Sequence, residues 1–319
     1  MNTGTVIKST GAWYQVRTDE PNQPVVECRI VGKFRLDDIP LTNPIAVGDR
    51  VEIWPDEKTG QAVIKKILPR RNYVVRQSPR RKHDLHLLAA NIDQAVLLAT
   101  VAFPDIKPGF IDRFLLMTAK FDIPVTIVFN KADLYTPEHH ELFQYVADVY
   151  RKAGYGVLLT STVTKAGLNA FYELLKDRTT LLSGQSGVGK SSLVNAIQPQ
   201  FELRTGEISD YSGKGQHTTT FAEMFELDYG GRIIDTPGIK MLAFNDKDKY
   251  NIAHSYKEMF RYSADCRFGG NCLHRNEPGC AVKAALETGD ISEMRYSSYL
   301  GILEEVEDQN YWERHRGTI

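Results

Sequence analysis

The sequence predicts three domains of different class: a small all-β barrel, a doubly wound α/β domain, and a mainly helical tail that binds metal. Three observations predict them. Short strands separated by turn signals fill residues 1–70. Near-continuous apolar runs then alternate with helically spaced segments over 90–245, as in a parallel sheet covered on both faces. Three cysteines and a histidine crowd between residues 266 and 280.

Composition narrows the function classes. The chain has 319 residues, enough for two or three domains. No apolar run is long enough to span a membrane. The start, Met1-Asn2-Thr3-Gly4-Thr5, has neither the basic end nor the apolar centre of a signal peptide. The expectation is a cytoplasmic monomer without a membrane partner, whose cysteines stay reduced. The net charge is -1, so any affinity for nucleic acid must come from a local patch.

In the first domain, residues 5–7, 13–16, 25–31, 51–54 and 62–67 read as strands. Thr10-Gly11, Pro21-Asn22, Val47-Gly48-Asp49 and Lys58-Thr59-Gly60 supply the turns between them. Five short strands suggest an OB-type barrel, and an SH3-like barrel fits the pattern nearly as well. Cys28 falls in a strand and is expected in the core. Residues 58–82 then contain no acidic residue, but they hold Lys65, Lys66, Arg70, Arg71, Arg76, Arg80, Arg81 and Lys82, with Tyr73 among them. This asymmetry reads as a surface for a phosphate backbone, and a basic linker over 71–89 is expected.

In the second domain, 94–100 and 124–129 read as buried strands with a helix over 110–117 between them. A helix over 138–152, a strand at 156–160 and a helix over 168–176 lead to a strand ending at Leu181-Leu182. There Gly184-Gln185-Ser186-Gly187-Val188-Gly189-Lys190-Ser191 matches G-x-x-x-x-G-K-[ST] at every fixed position. A helix follows from Ser192. Such a loop aims backbone N–H groups and the positive end of a helix at an anion. Lys190 is expected on the outer phosphates, where it assists transfer, and the Ser191 hydroxyl on Mg²⁺.

Asn130-Lys131-Ala132-Asp133, after the strand at 124–129, matches N-K-x-D. The Asp133 carboxylate can accept from guanine N1–H and the exocyclic amine together; adenine would leave it unpaired, which is costly. The nucleotide is therefore GTP or GDP. Asn130 can hold the base or brace the phosphate loop, and the Lys131 stem can lie over the ring. Ser161-Thr162 stands where a last base-contacting loop belongs. Asp235-Thr236-Pro237-Gly238 matches D-x-x-G, with Asp235 on Mg²⁺ and the Gly238 N–H sensing the γ-phosphate. Between them, Gly213-Lys214-Gly215-Gln216-His217-Thr218-Thr219-Thr220 reads as a switch loop, in which Thr218 or Thr219 completes the Mg²⁺ shell. Ile239 occupies the position of the glutamine that orients water in Ras-like enzymes. His217 is the local candidate for that role, and slow turnover without a partner is expected. A site that changes shape without meaningful turnover is the alternative that Ile239 keeps open.

The motifs come in an unusual order: base loops first, phosphate loop second, D-x-x-G last. A circularly permuted P-loop GTPase domain explains this, because joining old termini and cutting before residue 94 rebuilds the same sheet. The segment after Asp235 then leaves the domain for the tail, so nucleotide state can move the tail. In that tail (residues 246–319) Cys266, Cys272, His274 and Cys280 read C-x5-C-x-H-x5-C, a closed set for one structural Zn²⁺. Residues 281–287 and 291–308 read as helices. Arg267, Lys283 and Arg295 are either RNA contacts or surface charges.

The whole combination closely resembles the RsgA family, ribosome small-subunit-dependent GTPases with a circularly permuted domain. The resemblance spans nearly the full chain, from the barrel to the cysteine cluster. It implies GTP hydrolysis stimulated by the small ribosomal subunit late in its maturation. It also implies rRNA contacts by the barrel and the zinc domain, release of another assembly factor, and a catalytic role for His217.

Overall fold

The computed structural model describes residues 2–11, 13–22, 24–30, 41–55, 62–77, 85–201, 222–235 and 249–314. Five strands close the N-terminal barrel: β1 (Asn2–Ser9), β2 (Tyr14–Thr18), β3 (Val25–Ile30), β5 (Arg50–Pro55) and β6 (Ala62–Ile67). Their circular order is β1-β2-β3-β6-β5, and β5 pairs back onto β1. Only β3 and β6 run parallel. Alternate residues point inward, so Val6, Tyr14, Val16, Cys28, Val51, Ile53 and Ile64 fill the interior. Closure leaves no open edge, as in the OB-type barrel expected.

The stretch 71–89, expected as a basic linker, instead carries strands. A short strand β4 (Leu41–Asn43) pairs with β8 (Leu85–Ala90), which pairs antiparallel with β7 (Tyr73–Gln77). Apolar residues interleaved with the basic ones are the reason: Val74, Leu87, Leu88, Ala89 and Ala90 are buried. Arg70 is likewise no free cation for a phosphate. It is buried on Asp49 at 2.6 Å and donates to the Pro44 carbonyl, tying this layer to the barrel.

The central sheet is built from β9 (Gln94–Ala99), β10 (Val125–Phe129), β11 (Gly156–Leu159), β12 (Thr179–Gly184), β13 (Glu223–Glu226) and β14 (Arg232–Asp235). Their order is β11-β10-β9-β12-β14-β13; the first five are parallel and β13 is antiparallel. β9 shows why its sequence is continuously apolar. Ala95, Leu97 and Ala99 face α1 (Pro108–Ala119) and α2 (Pro137–Lys152), whereas Val96 and Leu98 face α3 (Leu168–Leu175) and α4 (Lys190–Ile197). β13 also meets β1 at Glu223↔Lys8, so the barrel prolongs the sheet.

The tail holds α5 (Lys249–Ser255), α6 (Lys257–Ser263), α7 (Ala281–Glu287) and α8 (Glu293–Arg314). Sequence spacing anticipates α7 and α8 but not α5 or α6, which are a single short turn or two each. α8 lies along α1. There Arg295, 2% exposed, is paired with Asp112 of α1 and with Glu258 of α6 at 2.6 Å. Its guanidinium also faces the Tyr256 ring at 4.4 Å. Arg295 is therefore neither an RNA contact nor a surface charge: it is an internal strut. Two carboxylates share one guanidinium, and burial leaves the Asp112 carboxyl above its ordinary range despite Arg295. Among the described residues no helix is long and apolar enough to cross a membrane.

Candidate nucleotide site and metal centre

In a parallel sheet every strand delivers its following loop to the same edge. Asn130-Lys131-Ala132-Asp133 follows β10, Ser161-Thr162 lie just beyond β11, Gly184–Ser191 joins β12 to α4, and Asp235 ends β14. The topology thus collects four motifs that the sequence spreads over more than a hundred residues.

Backbone geometry makes the phosphate loop. Gly187 and Gly189 both adopt positive φ, at 83° and 86°. Gly189 has a second constraint. A Cβ there would lie 2.6 Å from the Asn130 side-chain nitrogen, so only glycine fits. Val188 is buried beneath the loop, Gln185 is half-buried, and Ser186 is exposed along the rim. Lys190, Ser191 and Ser192 open α4, with Lys190 and Ser191 buried. The Lys190 ammonium lies 2.8 Å from the Asp235 carboxylate, which places the expected phosphate ligand beside the expected Mg²⁺ ligand.

Asn130 braces this loop. Its Nδ2 donates to the Val188 carbonyl at 3.0 Å, and its Oδ1 accepts from the Thr160 hydroxyl at 3.0 Å. Its own carbonyl accepts from Tyr135 OH. Thr160 and Tyr135 escaped sequence reading; a Thr ending a strand before Ser-Thr is a weak signal, and Tyr135 carries none. Asp133 stays exposed, and Ser161 Oγ donates to one of its oxygens while accepting from the Val163 and Thr164 amides. Thr162 is half-buried beside it. Lys131 adopts φ 64° and donates from Nζ to the Phe103 carbonyl at 2.8 Å. His217, Thr218, Thr219, Gly238 and Ile239 lie outside the described residues.

The second centre is the cysteine cluster between α6 and α7. The sulfurs of Cys266, Cys272 and Cys280 and a ring nitrogen of His274 all lie within 4.8 Å of one another, and all four residues are buried. The arrangement could hold a metal ion. His274 Nδ1 faces Cys266 at 3.7 Å and Cys280 at 3.4 Å. Burial lowers the His274 pKa, which keeps the imidazole neutral as a ligand must be. Burial and the adjacent thiols push Cys272 up to about 12, so an entering cation must displace protons. Glu277 accepts from the Leu273 and Arg275 amides, and Tyr296 and Tyr299 donate to the His274 and Leu273 carbonyls. These bonds fix the turn that presents His274. No composition signal pointed to Glu277 or the tyrosines as supports.

A sheet of this order, with a phosphate loop at its centre and its base loop upstream in the chain, defines a circularly permuted P-loop GTPase. Comparison with known proteins is consistent at every level. The chain belongs to the RsgA GTPase family: that family's GTPase model matches residues 67–245, and the RsgA N-terminal domain model matches 3–64. A relative from Bacteroides fragilis, described as a small ribosomal subunit biogenesis GTPase RsgA, is 48% identical over 308 residues, covering 97% of this chain and 98% of the relative. The crystal structure of YjeQ from Thermotoga maritima superposes with a TM-score of 0.75 at 33% identity, covering 96% of this chain and 98% of that one. The structure of YloQ, described as a circularly permuted GTPase, superposes with a TM-score of 0.70 at 32% identity, covering 97% and 96%.

Proposed function

We propose that this chain hydrolyses GTP as a checkpoint in the late maturation of the small ribosomal subunit, with turnover stimulated by that subunit. One observation carries the nucleotide reading: Asn130 links the base loop to the phosphate loop through Val188, so base recognition and phosphate binding form one unit. The near full-length similarity to a small-subunit biogenesis GTPase supports the partner. Asp133 would read guanine, with Lys131, Ser161 and Thr162 around the base. The amides of 184–192 and Lys190 would hold the phosphates. Ser191, Asp235 and Thr218 or Thr219 would hold Mg²⁺, which neutralises phosphate charge. His217 would orient the attacking water. rRNA is the expected contact of the barrel and the tail, and the functional division is 1–70, 90–245 and 246–319, with β7 and β8 between the first two.

The metal of the cysteine cluster is inferred to be one structural zinc per chain. Tetrahedral bonds of about 2.3 Å to sulfur require sulfurs about 3.8 Å apart; Cys266 and Cys280 are separated by 3.9 Å. Four protein ligands leave no open position for catalysis.

The test is GTP turnover with and without purified small subunits. A rate that subunits leave unchanged would defeat the checkpoint reading. Lys190→Ala is expected to weaken nucleotide binding, whereas His217→Ala is expected to spare binding and slow turnover by about 10²–10⁴ fold, the usual worth of a positioned acid–base group. Equal turnover in His217→Ala and wild type removes that role.

A further inference from the structure

The turn after β9 has no role in the scheme above, yet it lies against both recognition loops. The Phe103 carbonyl accepts from Lys131 Nζ of the base loop at 2.8 Å. The Pro104 ring lies 3.8 Å from where a Cβ on Gly187 of the phosphate loop would stand. The turn is anchored from behind: Thr100 Oγ1 donates to the Pro104 carbonyl at 2.6 Å, and Ile106 N donates to the Val101 carbonyl. Tyr135, which braces Asn130, also accepts from the Val101 amide.

Within this anchored turn Phe103 is costly. Its φ is 58°, a left-handed conformation that is an outlier for a bulky residue and carries backbone strain. Phe103 is 63% exposed, so packing among the described residues does not offset that strain. Strain held by surrounding bonds at a recognition site points to a ligand that uses the side chain.

The ligand can be argued from position. The base belongs to Lys131 and Asp133, and the phosphates belong to the loop containing Gly187. The part of a nucleotide between base and phosphates is the sugar. We propose that the Phe103 ring forms the wall against which the ribose of the guanine nucleotide packs. The inference rests on the GTP reading and adds a residue to it. Because sugar and ring meet alike in either nucleotide, the contact contributes equally to GDP and GTP and does not change the chemical step.

Calorimetric titration of the full chain with GDP and with a non-hydrolysable GTP analogue tests this. Phe103→Ala is expected to weaken both by about tenfold, a change of ~1.4 kcal/mol, and Phe103→Tyr to stay within about twofold of wild type. Phe103→Gly separates ligand contact from folding, since glycine relaxes at φ 58°. It should lose affinity like alanine while its melting temperature does not fall. Phe268→Ala, at another exposed ring on the tail, should leave affinity unchanged. Unaltered affinity in Phe103→Ala overturns the proposal, as does loss of subunit-stimulated turnover at saturating GTP with normal affinity, because the ring would then face a partner. Failure of the wild type to bind GDP would instead defeat the guanine reading itself.

Discussion

The GTPase sheet meets its two neighbours by opposite means. Towards the barrel it offers its outermost strand: β13 pairs with β1 at one register position, flanked by the ion pairs Lys8–Glu223 at 3.0 Å and Arg17–Glu226 at 2.5 Å. Both pairs are partly open to solvent. Towards the tail it offers α1, where Arg295 is enclosed by Asp112, Glu258 and the rings of Tyr150, Tyr155 and Tyr256. One seam is charged and wet; the other is charged and dry. The lesson is that similar ion pairs do different work. In water a pair is weak and replaceable, whereas in the interior losing one partner leaves a charge with nothing to neutralise it. β13 precedes the D-x-x-G strand, so the weak seam lies beside the segment expected to switch.

The largest effect on this contrast is expected from metal removal. Stripping the cysteine cluster with a chelator, or Cys272→Ser, should melt the tail and free α8 while the barrel stays folded. Binding energies near 10 kcal/mol are at stake in comparable zinc peptides. Calorimetry should then show a separate early transition; a single unchanged one would mean that the tail holds without metal. Next comes Arg295→Ala, expected to cost about 3–5 kcal/mol in denaturant unfolding. Arg295→Met should cost less, because it refills the space, although both carboxyls stay buried. If alanine cost no more than a surface substitution, the dry seam would not be a strut.

Smaller effects belong to the wet side. Lys8→Ala and Arg17→Ala should each cost about 0.2–1 kcal/mol, shrinking as salt is raised from low to high ionic strength. A salt-independent loss would show that these pairs are better shielded than their exposure suggests. The smallest effect concerns acid. Hydrogen bonds from Arg50 hold the exposed Asp19 of the barrel at about 2, down from 3.8. A depressed carboxyl stabilises above its unfolded pKa, so this contribution is complete above about pH 4 and disappears as pH falls through about 2. Asp19→Asn should flatten that part of the stability curve by slightly lowering stability at neutral pH, where the contribution is present, while leaving strongly acid conditions unaffected.

Much of the candidate site is legible in sequence because its chemistry is local. Gly187, Gly189 and Lys190 sit within one short segment whose spacing and positive-φ glycines mark a phosphate loop, although its brace, Asn130, comes from far along the chain. Asn130 and Asp133 sit in one tetrapeptide, and Cys266 to Cys280 close over a short turn-rich span. The barrel strands are legible because alternation has a period of two. β7 and β8 are less so, since the basic residues beside them resemble a solvated linker. α5 and α6 are too short for helical periodicity to register.

Motif order alone determined that the domain is permuted, because order along the chain is itself sequence. What each charge does was decided only by the tertiary structure. Arg295 and Arg70 resemble surface cations until folding brings Asp112, 183 residues away, onto the first and Asp49, 21 residues away, onto the second. The same holds for Phe103, an ordinary apolar residue in sequence, which the fold sets in a strained turn between base loop and phosphate loop. The physical reason is common to all three: residue type fixes what a group can do, but its burial and partners come from chain segments that only the fold brings into contact.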